Sequence, residues 1–280
     1  MRWGCKHFRK GIRWINLLMI LMLYGILLWR FPQIGAGNEI WWLVAAALLI
    51  TAGGNLENDW HDRHVDPHNR KFNLYAHQEH CSPAWPYLFY ALGLTSAAVF
   101  LYQRGYSLYY LTVFTAVVIL LMLYNRSIKK MPLIGNVIVS SLVVFLIFTV
   151  ILFYPVPLKV QKKLLFIAIW LFLVTLNREI IKDFQDRKGD RRARFQTLPI
   201  LSPRRAFQLL YFNILLSWLT WLAYISSIHL ATAVKIYYGL LLLYMSAVTW
   251  YYSTKKRRFA TLASHYKVIL FLGMIGILFI

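Results

Sequence analysis

All six aspartates of the chain lie in two copies of one D-x-x-D-x-x-x-D pattern. The copies begin 124 residues apart, at positions 59 and 183, and they consist of Asp59, Asp62 and Asp66 and of Asp183, Asp186 and Asp190. On a helix, positions i, i+3 and i+7 share one face, where three carboxylates repel each other unless a cation lies between them. Oxygen ligands of this kind select hard ions such as Mg²⁺ or Mn²⁺. Two such clusters facing one cavity are predicted to hold two or three metal ions on a phosphate-bearing substrate.

The remaining sequence predicts an all-α integral membrane protein. Of its 280 residues, 59% are hydrophobic and 15% are charged, whereas soluble domains carry about 25% charged residues. A membrane-spanning helix needs about 20 apolar residues. Nine segments meet or approach that length, the last of them short: Trp14–Arg30, Ile40–Leu56, Ala84–Tyr102, Ser107–Tyr124, Asn136–Tyr154, Leu164–Ile181, Ala206–Ile228, Ala231–Tyr251 and Tyr266–Ile280.

The distribution of basic residues predicts the topology. The net charge is +21, and most of the 31 Lys and Arg residues lie in residues 1–13 and in the loops after spans two, four, six and eight. The positive-inside rule therefore places the N-terminus in the cytoplasm and the C-terminus outside, across the cell (inner) membrane. This placement explains the basic excess without a nucleic-acid partner, and no obligate protein partner is evident. The two cysteines, Cys5 and Cys81, fall on the cytoplasmic side, where a disulfide is not expected.

The two aspartate clusters also organise the chain. Each follows an even-numbered span, in the loops after spans two and six, and each begins at a cytoplasmic helix end. We interpret this as one membrane domain, residues 1–280, with two pseudo-repeated halves of roughly 1–130 and 131–280. Membrane proteins with internal symmetry commonly build a site between the two halves.

Several segments resemble, in order and spacing, motifs of the UbiA superfamily of intramembrane prenyltransferases. The first is Asn58-Asp59-x-x-Asp62-x-x-x-Asp66. The second is the run from Arg178 to Asp190, followed by Thr197-Leu198-Pro199. Weaker matches are Arg13-x-x-Asn16 and the loop with Tyr124, Lys129 and Gly135-Asn136. The resemblance covers nearly the whole chain.

This resemblance implies a ring of helices around a central cavity, an isoprenyl diphosphate donor bound through Mg²⁺, and a lipophilic or aromatic acceptor. In this interpretation the six aspartates form the catalytic and metal-binding site. Asn58 binds the metal or orients a neighbour, and Asn16 and Tyr124 line the pocket near the reacting carbon. The candidate diphosphate contacts are basic residues near the motifs: Arg70, Lys71, Arg126, Lys129, Lys182 and Arg187.

The loop after the first motif departs from the family pattern. In place of a Pro/Arg-rich stretch it carries five of the eight histidines, which are His61, His64, His68, His77 and His80. They are open to two interpretations, a soft-metal site or, as we favour, histidines of an interfacial loop. The departure also puts in doubt the basic contact that the family draws from this loop.

The acceptor and the protein class leave alternatives open. The motifs look closest to the branch of the superfamily that geranylgeranylates a glycerol-phosphate lipid. Chlorophyll synthase belongs to a related branch, and the branches that prenylate quinone precursors remain possible. A transporter or cation channel is the main alternative, and it predicts carboxylates near the middle of the membrane. A catalytically dead scaffold predicts eroded motifs. Carboxylates at helix ends in two intact motifs favour the enzyme.

Overall fold

The computed structural model describes residues 2–32, 37–69, 71–77, 81–227, 231–256 and 258–279. Within these ranges the chain forms helices and no strand, as the sequence predicts. The α-helices are α1 (Arg2–Gly11), α2 (Trp14–Arg30), α3 (Ile40–Asp62), α4 (Leu74–His77), α5 (Trp85–Gln103), α6 (Leu111–Arg126), α7 (Ile134–Phe153), α8 (Leu158–Arg192), α9 (Leu198–Leu201), α10 (Pro203–Ser227), α11 (Thr232–Trp250) and α12 (Phe259–Gly276).

Two compact units make up the chain, and the first comprises Met1–Gly25 and Gly35–Lys129. In this unit α3 packs against α5 and α6. A Cβ on Gly53 of α3 would lie 2.8 Å from the Tyr90 ring of α5, and one on Gly54 would lie 3.3 Å from Leu121 of α6. Lipid is as apolar as a leucine side chain, so helices in a membrane associate through such close packing. The two glycines therefore allow the close approach of three helices.

The second unit comprises Ile26–Ile34 and Lys130–Ile280, and α8 is its central element. Leu176, Ile180 and Phe184 recur every four residues along α8 and pack with Ala206 of α10 in one buried cluster. On α12, a Cβ on Gly273 would lie 1.9 Å from the ring of Trp170 on α8. The unit is thus organised by one long helix packed against α7, α10 and α12.

Eight helices of the described chain are long and apolar enough to cross a membrane. The prediction of about nine spans is close, because α2 is a shorter apolar helix of 17 residues. The prediction for the last span is wrong at its start. The helical stretch there runs from Phe259 to Phe279 over 21 residues, rather than beginning at Tyr266. The chain is therefore a multi-pass membrane protein, and its orientation stays a prediction.

Two helices extend well beyond the apolar runs that predicted them. Helix α3 continues from Leu56 to Asp62, and α8 continues from Ile181 to Arg192. Each added residue contributes a backbone hydrogen bond whether its side chain is polar or apolar, so a helix continues past the end of its hydrophobic segment. The prediction that both aspartate motifs occupy loops is therefore wrong for most of their residues.

Candidate functional site

The first aspartate motif lies at the C-terminal end of α3. Asp59 and Asp62 occupy its last turn, whereas Asp66 begins a separate 3₁₀ helix, Asp66–Asn69. The prediction of three carboxylates on one continuous helical face is therefore wrong for this motif. The turn at residues 63–65 carries the third carboxylate out of the α-helical register.

Arg13 and the loop after α3 hold Asp59. Arg13 lies in the two-residue break between α1 and α2, with a φ of 53°. Its Nη2 lies 3.5 Å from Oδ1 of Asp59 and donates a hydrogen bond to Oδ1 of Asn58. The backbone N–H of Leu74 donates to Oδ2 of Asp59 at 3.2 Å. Arg13 belongs to the Arg13-x-x-Asn16 match but is not among the predicted site residues, because only its partners far along the chain, Asn58 and Asp59, indicate its role.

Lys129 and Asp62 form a buried ion pair, with 2.6 Å between Nζ and Oδ1. Their side chains are 7% and 15% exposed. Burial lowers the pKa of Lys129, while the charge of Asp62 acts in the opposite direction. The structure thus brings Lys129 to the first motif, where it neutralises one of the motif carboxylates.

Asp66 is buried at 8% exposure and accepts a hydrogen bond from Nδ2 of Asn73 at 2.9 Å. Burial raises the pKa of Asp66, while the bond from Asn73 and the charge of Lys71 lower it. Lys71 is therefore near enough to act on this carboxylate, and its contact with the diphosphate stays a prediction. Arg70, the other basic residue predicted from this loop, lies outside the described residues.

The second motif lies entirely within α8. Asp183, Asp186 and Asp190 follow one another on this uninterrupted helix, so the prediction of a shared helical face holds here. Nδ2 of Asn136, in the first turn of α7, donates to Oδ2 of Asp183 at 2.9 Å. Asp190 is 8% exposed.

Basic residues beside the second motif include Arg178, Lys182 and Arg187. Lys182 and Arg178 both pair with Glu179, at 2.6 Å and 2.8 Å. Lys182, a predicted diphosphate contact, is paired with Glu179, which is not among the predicted site residues. The Nε atoms of Arg178 and Arg187 are buried and have no hydrogen-bond partner among the described residues. Buried N–H donors of this kind suit an anionic ligand.

The remaining predicted residues are Asn16 on α2 and Tyr124 and Arg126 near the end of α6. Asn16 is half-buried in the first turn of α2, and its backbone N–H donates to the carbonyl of Arg13 at 2.8 Å. Tyr124 is half-buried on α6 and interacts electrostatically with Arg13. Arg126 is exposed at the end of α6.

The histidines of the loop make local contacts. His68 and His77 each place Nδ1 2.9 Å from a backbone carbonyl four residues earlier, and His61 lies 3.9 Å from Glu57. Across the described ranges, no group of three or more His, Cys, Asp or Glu side chains could hold a metal ion. His80 is outside these ranges. The described histidines thus lend no support to a soft-metal site.

The motif residues nevertheless fit Mg²⁺ that arrives with a diphosphate. Mg²⁺ usually takes one or two protein carboxylates and completes its coordination with waters and substrate phosphates. Asp62 and Asp183 offer carboxylate oxygens at the helix surfaces, each already bonded to a nitrogen donor. Displacement of Lys129 from Asp62 would free both a carboxylate for the metal and a cation for the phosphate.

Comparison with known proteins gives the family. The sequence model of the UbiA prenyltransferase family matches residues 18–275. Digeranylgeranylglyceryl phosphate synthase of Methanothrix thermoacetophila is 32% identical over 170 residues, which are 59% of this chain and 60% of that protein. The chain therefore matches less than two thirds of the length of this curated relative.

Solved structures show the same fold. One, from work on digeranylgeranylglyceryl phosphate synthase in membranes, has a TM-score of 0.70 at 19% identity and covers 99% of this chain and 98% of its own. Another, a UbiA homologue from Archaeoglobus fulgidus bound to DMAPP and Mg²⁺, has a TM-score of 0.66 at 17% identity, with 96% and 98% covered.

Proposed function

Because this chain belongs to the UbiA prenyltransferase family, we propose that it transfers a prenyl group from an isoprenyl diphosphate to an acceptor within the membrane. The observation that carries this proposal is the chemistry of the first motif. There, Arg13 and Lys129 converge on Asn58, Asp59 and Asp62 beside apolar helices. Carboxylates and cations together at the end of a membrane helix suit a metal-bound diphosphate whose prenyl tail lies in lipid or between helices.

The reaction breaks the allylic C–O bond of the donor, and the electron pair leaves with the diphosphate. A hydroxyl oxygen of the acceptor forms the new C–O bond, and its proton passes to the departing diphosphate. Bound Mg²⁺ would neutralise charge on the departing diphosphate. We propose that all six motif aspartates, with Asn58, bind Mg²⁺ and the diphosphate.

Cationic side chains of the protein complete the neutralisation. Lys129, released from Asp62, and Arg187, whose buried Nε has no partner among the described residues, stabilise the charge that develops on the leaving group. Lys71, Lys182, Arg126 and Arg70 remain proposed contacts of the same kind. Apolar helices exclude water, which would otherwise capture the allylic cation. Asn16 and Tyr124 are proposed to line the pocket near the reacting carbon.

We propose that the acceptor is a glycerol-phosphate lipid that already carries one geranylgeranyl chain. The relatives named digeranylgeranylglyceryl phosphate synthase support this choice, because that product carries two such chains. The alternative acceptor, which the sequence motifs do not distinguish from this lipid, is an aromatic quinone precursor. We also propose that the N-terminus and both motifs face the cytoplasm, so that a membrane-impermeant maleimide should label Cys81 only from that side.

A transfer assay tests the proposal. Purified protein in nanodiscs is incubated with labelled geranylgeranyl diphosphate, Mg²⁺ and separate acceptors, namely geranylgeranylglyceryl phosphate, 4-hydroxybenzoate and homogentisate. We expect label in the glycerol-phosphate product alone. Label in an aromatic product would contradict the acceptor. An unconsumed donor together with cation flux across proteoliposomes would contradict the transferase and favour a transporter.

Substitutions at the motifs sharpen the assay. Asp62→Ala and Asp186→Ala should abolish transfer while the protein stays folded. Glu39→Gln is the matched control, because Glu39 pairs with Arg104 at the opposite end of α3 from Asp62. Full activity in either motif variant would contradict the proposal that both motifs serve the reaction.

A further inference from the structure

Behind the first motif, a buried carboxylate joins three helices. Glu57 of α3 is 3% exposed. Its Oε2 accepts hydrogen bonds from the hydroxyl of Tyr90 on α5 at 2.7 Å and from Nδ2 of Asn125 on α6 at 3.1 Å. Asn125 Nδ2 also donates to the backbone carbonyl of Gly54 at 3.1 Å. Asn125 is 1% exposed, so these bonds account for the donors of a buried amide.

The hydrogen-bond partners force the orientation of each amide. A carboxylate and a backbone carbonyl can only accept, so Asn125 must turn its amide nitrogen toward Glu57 and Gly54. Its oxygen then faces Asn58, whose Nδ2 donates to it at 3.3 Å. The Asn58 oxygen is consequently turned toward the guanidinium of Arg13, which can only donate. The acceptor oxygens of Glu57 and Gly54 thus set the direction of the bonds that run from Asn125 through Asn58 to Arg13.

We infer that Glu57 is a positioning residue, which acts through Asn125 and Asn58 to hold Arg13 beside Asp59. The inference rests on the proposed function, since it gives Arg13 a task at the diphosphate site. Nη2 of Arg13 serves both Asn58 and Asp59, while the guanidinium has five N–H donors in a fixed plane. The amides of Asn125 and Asn58 therefore also fix the direction of the remaining N–H groups of Arg13, which can donate to an anionic ligand.

A reversed amide would break this arrangement. If position 125 carried only acceptor oxygens, one of them would face the acceptors of Glu57 and Gly54. Repulsion would turn the side chain away, and Asn58 would lose the partner that sets its orientation. An Asn58 amide turned the other way would present its own N–H groups to Arg13, where two donors repel. The guanidinium would then leave Asp59, and binding of the diphosphate would weaken even though Arg13 and the motif residues were all present.

The test reverses the direction of the bonds and then restores it. Asn125→Asp removes the donor that Glu57 needs, so we expect kcat/KM for the allylic diphosphate to fall by about 10-fold or more, mainly through KM. Glu57→Gln keeps an amide oxygen for Asn125 and should stay within about threefold of wild type. In the double variant, Glu57→Gln supplies an N–H donor to the carboxylate of Asn125→Asp, which still accepts from Asn58. Because the carbonyl of Gly54 still lacks its donor in the double variant, transfer should recover part of the loss.

Binding of Mg²⁺ with inorganic pyrophosphate, measured by calorimetry on the same four proteins, separates the two proposals. If Mg²⁺–pyrophosphate affinity falls in Asn125→Asp and recovers in the double variant, but no protein transfers a prenyl group, the inference stands and the proposed function is overturned. Recovery in the double variant supports the inference even if Asn125→Asp alone does not fold. An Asn125→Asp protein as active as wild type would overturn it. So would a double variant that stays as impaired as Asn125→Asp in both transfer and binding, whether or not it folds.

Discussion

Replacement of Lys129 by Met should expose how strongly the first motif depends on its ion pair. The pair is short, 2.6 Å, and its side chains are only 7% and 15% exposed. Removal of one partner of a buried ion pair lowers the free energy of unfolding by about 3–5 kcal/mol. Because the two side chains keep some exposure, we expect a loss at the lower end of that range, about 3 kcal/mol. For a protein of this size each kcal/mol corresponds to about 2–4 °C in Tm. We therefore expect Tm to fall by about 6–12 °C.

A double-mutant cycle isolates the pair itself. Lys129→Met, Asp62→Asn and the combined variant are compared by intrinsic tryptophan fluorescence during heating. Residues in direct contact couple by about 0.5–3 kcal/mol, and we expect about 2 kcal/mol here. The control cycle uses Arg104 and Glu39, which pair at 3.2 Å with side chains 27% and 15% exposed. That more exposed pair should couple by at most about 1 kcal/mol.

The same cycle in the presence of Mg²⁺ and pyrophosphate addresses function. Lys129 is expected to leave Asp62 for the phosphate, so the coupling between the two residues should shrink. A coupling near zero without ligand would refute the reasoning from burial. A coupling unchanged by the ligand would refute the proposed exchange of partners.

Three further predictions concern packing, the second motif and the metal. Gly273→Ala should lower the Tm measured by circular dichroism, because the added Cβ would lie 1.9 Å from Trp170. Gly25→Ala, with open space around it, should leave Tm unchanged or raise it slightly. Equal effects of the two substitutions would contradict the packing of Gly273 against Trp170. Asn136→Leu removes the donor at 2.9 Å from Asp183 and should weaken Mg²⁺–pyrophosphate binding by about 10-fold in calorimetry; unchanged binding would contradict a role for this contact. Removal of divalent metal with EDTA should stop transfer and added Mg²⁺ should restore it, while activity that persists in EDTA would contradict a metal-bound diphosphate.

Much of the fold follows from local properties of the sequence. Apolar runs of about 20 residues indicate the membrane helices, because burial in lipid depends on composition over a short window. The helix ends were less predictable. Asp59 and Asp62 in α3, and the whole second motif in α8, lie on helical extensions that hydropathy does not detect. At Asp66 the opposite happens, since a turn ends the helix that its spacing would have continued.

The chemistry of the chain was readable from the types and spacing of the aspartates, because metal preference depends on ligand atoms that the sequence names directly. Which groups surround those aspartates was decided only by packing. Arg13 reaches Asn58 across 45 residues of sequence, Lys129 reaches Asp62 across 67, and Asn125 reaches Glu57 across 68. Such pairs depend on how closely the N-terminal segment and the end of α6 approach α3. The sequence alone thus determined which carboxylates are candidates for Mg²⁺, and the tertiary structure decided which cations and amides hold them, because those partners meet only through helix packing.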